Sequence, residues 1–198
     1  MITANKDLMR QAREALEGKW GLAIGVTLVY MLIAGAASSI FPGVGTIIAL
    51  VIGGPLALGV SGFFLGLSRR QEVKFSEMFN GFNHFVVALG AYLLMVLFVF
   101  LWSLLLIIPG IIASIAYALT FFILAEEPTL SPMEALRKSK KMMYGYKWKY
   151  FCLGLRFIGW ALLCLLTLGL GFIVLMPYIY ASYAKFYDDV KANYVEVV

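Results

Sequence analysis

The feature that most constrains the fold of this chain is a series of six long apolar runs separated by short polar segments. A helix needs about 20 mainly apolar residues to cross about 30 Å of hydrocarbon. Of the 198 residues, 62% are hydrophobic and 14% are charged, whereas a soluble domain is about 45–50% apolar and about 25% charged. This composition excludes an ordinary soluble domain, a disordered chain and a nucleic-acid-binding module. The runs are residues 20–41, 44–67, 85–108, 111–125, 150–166 and 172–187.

The distribution of charge predicts how these runs are oriented. The connections near Pro42, Pro109 and Gly169 carry no charge, while Lys and Arg concentrate in the N-terminal segment, the two long linkers and the tail. An excess of Lys and Arg marks the cytoplasmic side, so both termini and both linkers are expected inside. We therefore predict an all-α, polytopic protein with one membrane domain of about six helices in three hairpins. The predicted segments are the cytoplasmic amphipathic segment 1–19, the hairpins 20–67, 85–125 and 150–187, and the cytoplasmic linkers 68–84 and 126–149.

One run leaves an alternative open. As a helix, residues 111–125 would be only about 22 Å long at 1.5 Å per residue. Three hairpins that dip into the bilayer without crossing it would give the same charge pattern. Six full spans are favoured, because irregular backbone at membrane depth must be buried in protein or solvated.

A weak internal repeat accompanies the hairpins. Gly18, Gly81 and Gly145 each precede the first helix of a hairpin, at separations of 63 and 64 residues. A glycine-containing turn follows each of them, at Gly43, Gly110 and Gly169 respectively. The simplest interpretation is three copies of one helical hairpin.

The second linker contains a specific helix-start signal. Ser131 can cap a helix, Pro132 suits its first position, and Glu134 completes a capping box. The predicted helix is amphipathic, and we expect it to lie in the membrane interface with its apolar face toward lipid. Its basic residues are candidates for binding lipid headgroups or a partner, and simple anchoring of the topology is the alternative. These residues are Arg137, Lys138, Lys140 and Lys141.

Three further charged residues stand out because of their position. Arg156 lies within an apolar run, seven residues after Lys149. Its side chain either extends to the cytoplasmic headgroups, where it would bind lipid, or pairs with Glu126 or Glu127 at the end of run four. Those carboxylates either couple protons or ions, or mark the end of a helix. The middle of the apolar runs contains no acidic residue, which argues against an ion-coupled transporter.

No pattern in the sequence supports catalysis or a cofactor. There is one histidine, and the two cysteines, Cys152 and Cys164, are isolated within apolar runs. A Ser-His-Asp set, a phosphate-binding loop and a metal-ligand cluster are all missing from the sequence. We therefore expect neither an enzyme nor a protein with a bound metal or cofactor.

An ordered series of short motifs extends from Ile108 to Tyr187. It comprises Ile108-Pro109-Gly110-Ile111-Ile112, Ser131-Pro132-Met133-Glu134-Ala135-Leu136, Met142-Met143-Tyr144-Gly145-Tyr146-Lys147, Phe157-Ile158-Gly159-Trp160, Thr167-Leu168-Gly169-Leu170-Gly171 and Pro177-Tyr178. The series resembles a bacterial integral-membrane family catalogued as domain of unknown function 975, over most of the chain. This resemblance implies a multi-pass protein of the bacterial cytoplasmic membrane and no particular activity. The chain is also distantly similar to the membrane domain fused to some glycerophosphodiester phosphodiesterases, which hints at lipid-related work. Arg156 departs from the small polar residue expected there.

Taken together, these features favour a non-catalytic accessory or scaffold protein. The net charge of +5 suits anionic headgroups, so the expected partners are membrane lipids and either another membrane protein or a second copy of the chain, but no nucleic acid. One alternative is a small transporter or lipid-translocating protein. The other is a hairpin protein that shapes the bilayer.

Overall fold

Every regular element of the structure, a computed structural model, is helical over the residues it describes, 3–39 and 44–194. The all-α class predicted from the sequence is therefore confirmed. The elements are α1 (Asn5–Leu16), α2 (Trp20–Ser39), α3 (Val44–Ser68), a 3₁₀ helix (Phe75–His84), α4 (Phe85–Leu105), α5 (Ile107–Ala116), α6 (Thr120–Glu126), α7 (Pro132–Met142), α8 (Lys147–Leu166) and α9 (Phe172–Asn193).

Four helical stretches of the described chain are long and apolar enough to cross a membrane, and a fifth qualifies if α1 and α2 count as one span bent by 100°. The four are Gly45–Ser68, Phe75–Leu105, Ile107–Glu126 and Lys147–Leu166. The second half of α9 carries several charges, including Asp188 and Asp189, and α9 is not among the four. The apolar helices expected of a membrane protein are therefore present, while a sixth span and the hairpin topology remain predictions.

The turn predicted at Pro109-Gly110 lies elsewhere. The chain reverses at Leu106, which has an extended backbone (φ −165°, ψ 150°), and Pro109 lies in the first turn of α5. Proline is tolerated there because a first-turn N–H has no partner within the helix. A Cβ on Gly110 would lie 2.1 Å from Ser103 Oγ, so this glycine permits α4 and α5 to pack closely. The turn predicted at Gly169 is confirmed by its positive φ of 88°, and Gly43 lies outside the described residues.

A second break divides the run that was predicted as one short helix. α5 ends at Ala116 and α6 begins at Thr120. The buried hydroxyl of Ser139, on α7, donates to the carbonyl oxygen of Ala116 at 2.8 Å and accepts from the N–H of Leu119 at 3.3 Å. Helix α7 therefore satisfies backbone groups that the break leaves free, as a buried break requires.

Most of the first linker forms a regular element, the 3₁₀ helix. Its 3₁₀ helix packs directly on α3 through two glycines. A Cβ on Gly59 would lie 1.8 Å from the carbonyl oxygen of Met78, and a Cβ on Gly81 would lie 1.9 Å from that of Pro55. Backbone therefore lies against backbone, and no larger residue fits at either position.

Two helix junctions share one conformation. Gly18 joins α1 to α2 with φ 75°, and Gly145 joins α7 to α8 with φ 82°. A positive φ of this size favours glycine. Each junction thus links a charged helix to an apolar one, whereas Gly81, the third glycine of the predicted repeat, lies within the 3₁₀ helix.

The packed core lies toward the charged ends of the helices. Phe64, Leu124, Phe186 and Tyr187 are almost completely buried there, and most apolar residues of α1 and α7 are buried as well. The opposite ends are open: Leu104 to Ile108 are 67% to 76% exposed. The chain around Leu106, between α4 and α5, and around Leu168, between α8 and α9, therefore presents bare aliphatic surface.

Candidate functional site

Helix α7 begins where the sequence predicts. The N–H of Glu134 donates to Ser131 Oγ at 3.4 Å, and the N–H of Ser131 donates to Glu134 Oε2 at 2.9 Å. The hydroxyl and the backbone N–H of Ser131 hold the pKa of Glu134 below its usual value. Pro132 occupies the first turn. The predicted capping box is therefore confirmed.

The apolar face of α7 is covered by other helices of the protein. Ala135, Leu136 and Met142 are buried, and the helix packs against α4 and α6. Our expectation that this face would lie on the membrane is therefore wrong. The reason is that Ser139 binds the break between α5 and α6, which holds α7 inside the bundle.

The basic residues of α7 divide into two groups. Lys138 is half-buried, and its Nζ lies 2.8 Å from both carboxylate oxygens of Glu127. Arg137, Lys140 and Lys141 are exposed. A helix fixed by its buried face therefore presents three cations outward.

One of these cations borders an apolar cavity of about 330 Å³ between α4, α5, α7 and α8. Lys140 lines the cavity together with Lys147, the first residue of α8. Neither lysine forms an ion pair within the part of the chain that the structure describes. The remaining lining residues are Trp102, Pro109, Ile112, Ala113, Ala116 and Tyr117. The cavity thus combines an apolar wall with two lysines that no described carboxylate neutralises.

Glu126 is the centre of a separate charged cluster. Its carboxylate forms an ion pair with Arg69 and accepts hydrogen bonds from Tyr187 Oη and Lys191 Nζ, both at 2.5 Å. Arg69 also donates to Asp188 Oδ1 from Nη2 at 2.6 Å. Partial burial alone would lower the pKa of Arg69, but Asp188 and Glu126 outweigh it and raise that pKa. The cluster therefore ties the ends of α3, α6 and α9 together.

The structure does not bring Arg156 to the two glutamates. Its side chain is exposed on α8, while Glu126 and Glu127 pair with Arg69, Lys191 and Lys138. The pairing alternative considered for Arg156 is not realised, and an exposed position is the one that suits contact with headgroups.

Asp189, the residue after Asp188 in α9, forms a separate ion pair. Asp189 Oδ2 is 2.5 Å from Lys149 Nζ, and Asp189 Oδ1 accepts from the N–H of Thr3 at 3.0 Å. Burial alone would raise the pKa of Asp189, but Lys149 and Thr3 lower it overall. The sequence analysis did not single out Arg69, Asp188 or Asp189. Two adjacent acidic residues just beyond an apolar run drew attention to positions 126–127, and the same signal was present at 188–189.

Comparison with known proteins identifies the family. A family model described as "Protein of unknown function (DUF975)" matches residues 1–109 and 104–194. The chain belongs to this family. Neither the curated proteins nor the solved structures contain a match. The resemblance drawn from the short motifs is therefore confirmed for this DUF975 protein.

The charged groups of the DUF975 protein have two different chemical roles. The carboxylates of the ion-pair clusters are occupied by cations or donors within the chain. Lys140 and Lys147 at the α7 cavity have no such ion pair with any residue that the structure describes. Across the described residues, no group of His, Cys, Asp and Glu side chains forms a metal-binding arrangement.

Proposed function

We propose that this DUF975 protein is a non-catalytic scaffold of the bacterial cytoplasmic membrane, with both termini inside, that binds anionic lipid and thereby docks another membrane protein or a second copy. The observation that carries the proposal is the α7 cavity, where Lys140 and Lys147 border an apolar wall and form no ion pair with the described carboxylates. An anionic headgroup with an apolar chain matches both parts of such a cavity.

The basic residues of α7 lie in two places, at the cavity and outside it. Basic residues near an anionic membrane surface contribute about 1 kcal/mol each. Arg137 and Lys141 lie on the same helix but do not line the cavity, so they are suited to a partner or to the headgroup layer around the protein. In this proposal the cavity lysines bind one lipid, while Arg137 and Lys141 contact a partner or the surrounding headgroups.

The test is extraction of the tagged protein in native lipid discs, followed by mass spectrometry of the lipids and proteins that co-purify. The cavity variant Lys140→Gln/Lys147→Gln should lose about 30-fold in enrichment of anionic lipid, because two contributions of about 1 kcal/mol are removed. The matched control Arg137→Gln/Lys141→Gln removes the same charge outside the cavity and should keep that lipid. A wild-type protein that carries only bulk lipid and no partner would refute the proposal.

A bilayer-shaping role is the second candidate, because the turn of the α4–α5 hairpin at Leu106 is wholly aliphatic and exposed. A tip without polar anchors suits a hairpin that ends inside the hydrocarbon layer. Leu106→Cys should then stay unreactive to an impermeant maleimide added outside intact cells. Labelling from outside would instead establish a full crossing.

A further inference from the structure

We infer that the chain carries a second anionic-lipid site, centred on Arg13 and built on the same plan as the α7 cavity; this inference rests on the proposed function. A cavity of about 360 Å³ lies between α1, α8 and α9. Among the described residues that line it, Arg13 is the only charged one, and it lies beside Trp20, Trp160, Val174 and Tyr178. The ligand is an anionic phospholipid of the surrounding bilayer.

Charge complementarity identifies this ligand. On the same helix, Arg10 is paired with Asp7 and Glu14, at 3.2 and 3.9 Å. Arg13 has no such ion pair in the described chain, and it lines the cavity together with Tyr178. An unpaired guanidinium beside an apolar cavity favours a phosphate group, which it can bind through two parallel hydrogen bonds.

The walls of the cavity suit an acyl chain. Trp160 and Val174 are 54% and 50% exposed, so the cavity opens sideways onto the apolar surface of α8 and α9. Arg156 lies one helical turn before Trp160, hence on the same face of α8. A lipid seated with its phosphate at Arg13 would therefore have a second cation nearby and its chain against aliphatic surface.

Sequence position relates this cavity to the first one. Arg13 lies five residues before Gly18, and Lys140 lies five residues before Gly145. Two residues after these glycines come Trp20 and Lys147, which also line the respective cavities. Both glycines have positive φ. The same turn thus places the same two positions at the mouth of a cavity twice.

The helices that face Arg13 and Lys140 across the two cavities also contribute corresponding residues. The wall of the Arg13 cavity includes Trp160 from the first helix of a hairpin and Tyr178 from the second. The wall of the Lys140 cavity includes Trp102 from α4 and Tyr117, which directly follows α5. One amphipathic helix lying on the hairpin of another repeat accounts for both sites.

The remaining copy of the predicted repeat, at Gly81, supplies a contrast. Asn83, two residues after Gly81, lines a cavity of about 370 Å³ against α3. The residue five before Gly81 is Ser76, and the cavity is lined by Glu77 and His84 but by no Lys or Arg. Lacking the cation, this cavity is not expected to select an anionic lipid.

Tryptophan quenching tests the site directly. The chain has four tryptophans, so Trp102→Phe/Trp148→Phe leaves Trp20 and Trp160, which both line the cavity. In discs of phosphatidylcholine, a small equal fraction of brominated phosphatidylglycerol should quench this fluorescence more than brominated phosphatidylcholine with the same chains. Arg13→Gln should weaken the apparent affinity for phosphatidylglycerol about fivefold.

Two variants serve as controls. Arg10→Gln removes the same charge from the same helix outside the cavity and should keep the preference. Arg13→Lys keeps the charge but not the two parallel hydrogen bonds, so it should keep part of the preference. Equal quenching by both lipids in the parent protein, or an unchanged preference in Arg13→Gln, would overturn the inference. The Lys140 cavity is tested separately in native discs, so this site can fail while the proposed function stands.

Discussion

The contact between α3 and the 3₁₀ helix allows a prediction whose size follows from geometry. In Gly81→Ala the new Cβ would lie 1.9 Å from the carbonyl oxygen of Pro55 and 2.7 Å from the backbone nitrogen of Gly59. Non-bonded heavy atoms settle at about 3.5 Å, so the two elements would have to separate by about 1.5 Å. Both opposing atoms belong to helix backbone, so no side-chain rotation can relieve the contact.

We expect Gly81→Ala to destabilise the protein by about 3 kcal/mol, the upper end for overpacking of a well-packed contact. For a protein of this size that corresponds to a fall of about 10 °C in the melting temperature. The matched control is Gly159→Ala in α8, where a Cβ meets nothing within 4 Å. That substitution should be neutral or stabilise by up to about 1 kcal/mol, because alanine is the better helix former.

The assay is heating of the detergent-solubilised variants, followed by size-exclusion chromatography of the fraction that stays monodisperse. Gly59→Ala, whose Cβ would lie 1.8 Å from the carbonyl oxygen of Met78, should behave like Gly81→Ala. The double variant should lose less than the sum, since one separation relieves both contacts. If Gly81→Ala and Gly159→Ala melt alike, the close packing of the 3₁₀ helix on α3 is refuted.

Two further predictions concern buried polar groups. Ser139→Ala should lower the free energy of unfolding by about 1–3 kcal/mol, because it leaves the backbone groups at the α5–α6 break without partners. The control Ser114→Ala, at an exposed serine bonded within its own turn, should be neutral. Equal melting temperatures of the two variants would contradict this prediction. Since the pKa of Asp189 is lowered in the folded protein, its stabilisation is present above about pH 4, the range of an ordinary aspartate, and is lost as the pH falls through the lowered value. The difference in melting temperature between the parent protein and Asp189→Asn should therefore shrink on acidification below pH 4, and a difference that grows there would contradict the assignment.

The apolar helices and the start of α7 were predictable because each depends on local sequence. Runs long enough to span lipid are visible directly, and the capping box is formed by Ser131 and Glu134, only three residues apart. The turn of the second hairpin was misplaced because Pro109 and Gly110 are typical of turns. Proline is equally suited to the first turn of a helix, and only the packing of Gly110 against Ser103 distinguishes the two cases.

The partners of the charged residues depend on contacts distant in sequence. Glu126 meets Lys191 across 65 positions, and no local pattern specifies that pairing. The burial of α7 was missed for the same reason: its amphipathic pattern requires an apolar environment but does not distinguish lipid from protein. Ser139 lies on the buried face, and its hydroxyl needs a hydrogen-bond partner. This residue therefore favoured a protein environment over lipid for that face.

The adjacent acids of α9 have a mechanical consequence. Successive residues of a helix point about 100° apart, and Asp188 is held by Arg69 beyond the end of α3 while Asp189 is held by Lys149 of α8. Turning α9 about its axis, or sliding it by one residue, would carry both carboxylates away from their cations at once. The two ion pairs therefore oppose rotation of α9 relative to α3 and α8 at the charged end. Within the described chain, the exposed ends near Leu106 and Leu168 carry no such ion pair, so a force applied there would tilt the helices about the charged end more readily than it would rotate them.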